Sequence, residues 1–181
     1  MSQPQLAAVG GRAPGRATPA QTSQYLVFSL AREQFGVGTQ RVREIIEYRT
    51  VASVPMVPRY MRGVINLRGA VVPVIDLNAR FGRAETELSR RTCIVILDVQ
   101  AGDETHVLGI IVDSVTAVRQ IEADQIEPAP SFGAGIRADF IEGMAKVNGN
   151  FVILLDLARV LSVDELSAIE LGAERGAAAA A

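Results

Sequence analysis

The amino-acid sequence predicts an all-β fold, a small barrel or sandwich, on three observations. Short β-branched stretches follow one another between Gly, Asp and Asn, the pattern of half-buried strands joined by tight turns. A segment of the first half recurs without a gap 80 residues downstream. An apolar fraction of 49% with 21% charged residues, in a chain of 181 residues, is enough for a real core and excludes global disorder. The length suits one domain, or two very small ones fused into a single body.

In chain order, residues 1–22 hold Ala, Gly, Pro, Gln and Arg with almost no large apolar side chain. Such a segment has nothing to bury against the entropy of ordering and is expected to be a flexible tail. Strands are expected at Tyr25–Leu30, Gly63–Leu67, Ala70–Ile75, Thr92–Val99, Thr105–Val112, Val115–Ile121 and Phe151–Leu155. Turns between Leu30 and Phe35 and between Val99 and Thr105 would close hairpins. Pro73 lacks the donor that a central strand needs, so it marks an edge or a bulge. A last helix is expected at about Val163–Leu171, with the Ala-rich end to Ala181 frayed into a disordered tail.

The repeat is the most informative feature. Tyr60–Phe81 aligns with Phe140–Leu161, so that Gly63, Gly69, Val72, Asp76 and Leu77 match Gly143, Gly149, Val152, Asp156 and Leu157. A weaker echo pairs Phe35-Gly36 and Val42 with Leu108-Gly109 and Val115. Each copy reads as a Gly before a strand, a Gly at a hairpin turn, a second strand, and an Asp opening one helical turn as its N-cap. Two units of this size would be marginal alone, so they should pack together and leave a groove between them. The expected division is a tail over 1–22, repeat one at about 23–90, repeat two at about 91–162, with exchange of strands between them possible, and a terminal segment over 163–181.

Most chemistry is excluded by the residues present. A net charge of −2 argues against a nucleic-acid partner, which needs clustered excess cations. With Cys93 and His106 as the single Cys and His, one chain forms no internal disulfide and no zinc site of His/Cys type. The compartment reads as reducing and cytoplasmic, and no apolar run is long enough for a signal core or membrane insertion. His106 sits at an alternating polar position of a strand and reads as a surface residue, not a catalytic base. Cys93 opens the apolar stretch Cys93–Leu97 and reads as a small hydrophobe. Asp76 and Asp156 could be imagined as an acid and base pair, but capping explains both, and Ala at either is expected to cost about 0.5–2 kcal/mol. No phosphate loop occurs. Lys146 is the only lysine, so a receiver site is excluded, and neither a cofactor nor an enzymatic activity is expected. The remaining basic residues are Arg, suited to protein interfaces; Arg59, Arg62 and Arg68 cluster around the first hairpin.

Val54–Gly82, VPMVPRYMRGVINLRGAVVPVIDLNARFG, resembles the signature of the CheW family of chemotaxis coupling proteins and of the related regulatory domain of CheA-type histidine kinases. The resemblance rests on Val54-Pro55 with Pro58, on Arg62–Gly69, and on Val72–Leu77. It extends upstream through Tyr25–Leu30, Phe35-Gly36 and Val42–Ile45, and downstream through Leu108–Asp113, Val115 and Pro128–Pro130, covering about residues 24–165. It implies two SH3-like five-stranded β-barrels packed side by side. It also implies a non-catalytic adaptor joining the cytoplasmic tip of chemoreceptors to the kinase at membrane-associated arrays, or an adaptor of a parallel chemosensory system controlling twitching, development or second-messenger output. Receptor contact is implied for Val42, Glu44 and Arg68, with bracing of the two barrels as the alternative role for Arg68. Kinase contact is implied barrel against barrel, with Gly63 either part of it or structural in the hairpin. The chain departs from the family pattern in its longer Gly/Pro/Ala-rich N-terminal tail and in Glu127, where a basic residue often stands.

Overall fold

Alternating apolar positions give strands with one buried face and continuous apolar runs give strands buried on both, and the computed structural model, which describes residues 22–129 and 136–179, shows how they are shared. The strands are β1 (Thr22–Leu30), β2 (Glu33–Gly38), β3 (Val42–Glu47), β4 (Met61–Leu67), β5 (Ala70–Asp76), β6 (Cys93–Ala101), β7 (Glu104–Val112), β8 (Ser114–Glu122), β9 (Ile126–Glu127), β10 (Ile141–Val147) and β11 (Asn150–Leu155). The helices are α1 (Leu77–Arg80), α2 (Leu157–Val160) and α3 (Val163–Ala179). The seven expected strands are all present, and β2, β3, β9 and β10 join them. The expected tail, apart from Thr22, lies outside the described residues, as do Pro130 and the last two alanines.

Two curled sheets result, in the orders β8-β1-β2-β11-β10-β9 and β3-β6-β7-β5-β4, in keeping with two SH3-like barrels. The second has the expected five strands; the first has six because β9 is added beside β10. In the second sheet the place of β9 is taken by a single bridge, Ala52 to Val64. The orders are otherwise identical once β6, β7, β3, β5 and β4 are matched to β1, β2, β8, β11 and β10. Neither sheet is drawn from one repeat: β1 and β2 join strands of the second half, while β6 and β7 join strands of the first. A cut near residue 90 therefore separates neither sheet.

The core follows from this exchange. Tyr25, Val27, Ile121, Ala145, Val152 and Leu154 form one cluster within the first sheet, and Ile65, Val72, Val74, Ile94, Ile96 and Ile111 form its counterpart in the second. The intervening residues of the same strands, such as Leu26, Phe28, Leu97 and Leu108, belong to a third and larger cluster shared by both sheets and the helices. The space between the sheets is thus filled with side chains, where the sequence suggested an open groove. Phe28, Phe35 and Phe81 stack in series through it at centroid spacings of 6.2 and 5.9 Å, and Phe140 follows at 6.1 Å, tilted by 36°.

Gly69 and Gly149 stand in the hairpin turns at φ +86° and +81°, as expected, while the other two repeat glycines have a different task. Gly63 and Gly143 lie inside β4 and β10, each at a register shift, and they let another segment cross closely. A Cβ at Gly63 would stand 2.0 Å from the Ala52 carbonyl oxygen, on a backbone with φ +144°; at Gly143 it would meet Ile126 at 2.5 Å. Pro73 also differs from expectation, because β5 is an interior strand with no register shift at that point. Opposite Pro73, Val64 gives both its amide and its carbonyl to Ala52, so the missing Pro73 donor falls on the β7 side. There pairing begins only at Val74, and no bond is lost.

The last helix runs to Ala179 instead of fraying after Leu171. Ala is the best helix former, and the buried stripe Leu166, Ile169 and Ala173 seats the helix on the shared core. Gly172 and Gly176 bring it close to Val57 and Val54.

Candidate functional site

The two aspartates of the repeat are N-caps in the structure. Asp76 accepts hydrogen bonds from the amides of Asn78 and Ala79 at 3.0 and 3.4 Å, and Asp156 from the amide of Ala158 at 3.1 Å. Their surroundings then diverge. Asp76 is fully buried, also accepts from the Thr86 amide and hydroxyl at 2.8 and 2.9 Å, and has Arg62 at 3.9 Å. Arg62 is the bulged residue of β4, and its counterpart in β10 is Glu142. Burial first, then the Asp156 charge, pushes the Glu142 carboxyl above the usual carboxylate range, against the opposing Arg41 charge and a hydrogen bond to Tyr25. The duplicated scaffold therefore carries a buried ion pair in one copy and two carboxylates in the other.

His106 contradicts its expected surface position: it is 3% exposed, with Nδ1 against Glu170 of α3 at 2.5 Å and Nε2 without a hydrogen-bond partner, 3.8 Å from the Glu104 carboxylate. The alternation along β7 was sound, but the outward face of that strand is covered by a helix more than sixty residues downstream. Cys93 is partly buried, its thiol pushed up by burial, in keeping with a small hydrophobe. Among the described residues no group of three His, Cys, Asp or Glu side chains is placed to hold a metal ion.

Glu44 and Arg68 are brought together, and Val42 is held apart from them. Arg68 occupies the β4–β5 turn at φ +54°, next to Gly69 at +86°, the left-handed pair of a tight hairpin. Its guanidinium reaches Glu44 on β3 at 3.1 Å while remaining 79% exposed. The register of β3 against β6 slips at Arg43, so Val42 opposes Leu97 and Glu44 opposes the adjacent Ile96. Directly opposed residues share a face, so Val42 points with Leu97 into the shared core and Glu44 points with Ile96 the other way. Both partners of the Arg68 pair lie in one sheet, so it does not brace the two sheets.

That bracing belongs to Arg80, which sequence reasoning passed over. Its Nε donates to the Val160 carbonyl at 2.7 Å and its Nη2 to Glu165 at 3.1 Å. Its guanidinium lies 5.0 Å from the Tyr60 ring centre and 5.1 Å from that of Phe140. Tyr60 and Phe140 are repeat counterparts, and so are Arg80 and Val160. The side chain thus sits where the two copies meet, and the available signal was a charge at a position that is apolar in the other copy. Arg83, pairing with Glu33 at 2.6 Å, ties the loop after α1 to the other sheet.

Glu44 and Arg68 stand on the rim of a groove of about 790 Å³. β5 and β7 splay apart below Val74 and Gly109, leaving Val72, Ile96 and Val107 as an apolar floor. Arg43, Glu44 and the Arg68 turn form one side, and Glu170, Ala173 and Glu174 of α3 the other. Apolar floor and charged flanks are what an amphipathic helix needs in order to dock. The counterpart in the other sheet, about 690 Å³, is lined by Arg32, Arg119, Asn148 and the exposed Phe151, with no helix beside it.

Comparison with known proteins gives concordant results. Residues 24–165 match the family model described as the CheW-like domain. The chain is 31% identical over 147 residues to the chemotaxis protein CheW of Klebsiella aerogenes, covering 81% of this chain and 86% of that one. It is 26% identical over 162 residues to Protein FrzA of Myxococcus xanthus, covering 87% and 98%. The crystal structure of the scaffolding protein CheW from Thermoanaerobacter tengcongensis superposes with a TM-score of 0.71 at 32% identity, over 85% of this chain and 96% of the other.

Proposed function

The chain belongs to the CheW-like domain family and is a non-catalytic chemotaxis adaptor, and from that premise we propose that it joins the cytoplasmic tip of a chemoreceptor to the regulatory domain of a CheA-type histidine kinase. It would work in the cytoplasm, at receptor arrays; no described helix is long and apolar enough to cross a membrane. The observation that carries the receptor half of this reading is the groove beside the Glu44–Arg68 pair, whose floor and flanks fit one face of a helical hairpin. Glu44 and Arg68 would contact the receptor directly. Val42, packed into the core, would act by fixing the slip in β3 that turns Glu44 outward. Gly63 is assigned a structural role, because any Cβ there collides with Ala52. Kinase contact would be barrel against barrel. The match to FrzA over nearly its full length keeps an adaptor of a parallel chemosensory system as the second reading.

The test is a calorimetric titration of the purified chain against a receptor cytoplasmic fragment and, separately, the kinase regulatory domain. In Arg68→Glu, receptor binding should weaken roughly tenfold while kinase binding persists. Because Arg68 is mostly exposed, Tm should move by no more than about 3 °C. Equal receptor affinity in the folded variant would remove Arg68 from the interface.

A further inference from the structure

The receptor reading leaves one charge in the groove unexplained. Of its charged lining residues, Arg43 pairs with Asp98, Arg68 with Glu44, and Glu170 with His106. Glu174 lines the same groove, is exposed, and has no ion-pair partner among the described residues. It lies one helical turn beyond Glu170, so the two carboxylates share a face of α3, an arrangement that like charges disfavour. Its neighbour Arg175 projects elsewhere around the helix and does not line the groove.

Resting on the receptor assignment of this groove, we infer that α3 is its selectivity wall: Glu174 accepts a Lys or Arg from the docked helix of the receptor, opposite the Glu44–Arg68 rim. Charge complementarity specifies this occupant. With Arg43 held by Asp98 and Arg68 by Glu44, the lining charge without an Arg partner lies on the α3 side, at Glu170 and Glu174, and a helix with a cation on that flank offsets it. The wall is held in place independently of any partner. Leu166, Ile169 and Ala173 are buried in the core, Gly172 and Gly176 allow close approach, and the His106–Glu170 contact pins the middle of the helix. α3 lies almost wholly beyond the segment 24–165 that matches the family model. The counterpart groove lacks such a wall because α3 follows only the second repeat.

The experiment titrates a soluble receptor cytoplasmic fragment from the same organism into the full chain, the Glu174→Gln variant and the Glu174→Lys variant, with the kinase regulatory domain as a second ligand. Receptor affinity should fall roughly threefold in Glu174→Gln and roughly tenfold in Glu174→Lys, the differences shrinking as salt is raised, with kinase binding unchanged. Wild-type receptor affinity in a Glu174→Lys chain that still binds the kinase overturns the inference and leaves the adaptor reading intact. A wild-type chain that binds the kinase but not the receptor fragment overturns the receptor assignment itself, and the inference with it. Should Glu174→Lys lose kinase binding as well, Glu174→Gln decides: an unchanged receptor affinity there counts against the role of α3.

Discussion

A single position can keep its residue type through a duplication while its energetic weight changes, as Asp76 and Asp156 show. Both cap a helical turn, which is why the repeat is readable at these residues: an N-cap carboxylate satisfies backbone amides that no other local group can reach. Only Asp76 is enclosed. Its oxygens take four hydrogen bonds, two of them from Thr86, which also accepts from the Asn78 side chain at 2.9 Å. Removing the carboxylate leaves buried donors without partners and strands Arg62, whose other contacts are Glu85 and the Thr86 carbonyl. Asp76→Ala is therefore expected to destabilise the protein by about 3–5 kcal/mol, above the range the sequence suggested, and Asp156→Ala by about 1 kcal/mol. Urea denaturation of the two variants checks this, and equal losses would mean that the Thr86 contacts contribute nothing beyond capping.

At the scale of elements, turn geometry exposes where the sequence works against its own fold. β1 and β2 are joined by only Ala31 and Arg32, at φ +47° and +68°. Such a two-residue turn favours Asn-Gly, because both residues must be left-handed. Ala and a long side chain hold this conformation under strain, offset by the bond from the Ala31 amide to Asp113 at 2.7 Å. The double substitution Ala31→Asn with Arg32→Gly should raise stability by about 1 kcal/mol without altering the register; thermal unfolding measures the gain, and a loss would show that Arg32 makes a contribution of its own. The same mismatch explains which elements were legible. The seven expected strands could be read because large apolar residues run through or alternate along each of them. Glu33–Gly38 offers only Phe35 and Val37 as large apolar side chains, and Val42–Glu47 interleaves its apolar residues with charges, so local pattern understates both. α3 was underestimated because its continuation is held by alanine propensity and by glycine contacts with a distant loop, neither of which gives an apolar periodicity.

For the whole molecule, the decisive property is that each sheet is completed by the other half of the chain. The duplication was visible in Gly63, Asp76 and their counterparts because they are imposed by local backbone demands, whereas strand exchange depends on which hairpin pairs with which sheet, and no local residue records that. The candidate site divides in the same way: Glu44 and Arg68 could be matched from the motif, but the groove wall at Glu174 and the burial of His106 exist only once α3 folds back over β7. The exchange has a measurable consequence. Expressed alone, residues 22–90 would hold β1 and β2 without β8 and β11, their partners, and would expose the shared cluster that includes Phe28, Phe35 and Leu77. Residues 91–181 would likewise hold β6 and β7 without β3 and β5. Neither half buries enough apolar surface to offset the entropy of ordering. Each is expected to give a collapsed amide proton spectrum alone, and an equimolar mixture to recover the dispersed spectrum of the intact chain as the hairpins find their sheets. A half that folded by itself would show that its hairpin can return to its own repeat, and that the shared core, braced by Arg80, is not what makes the fold indivisible.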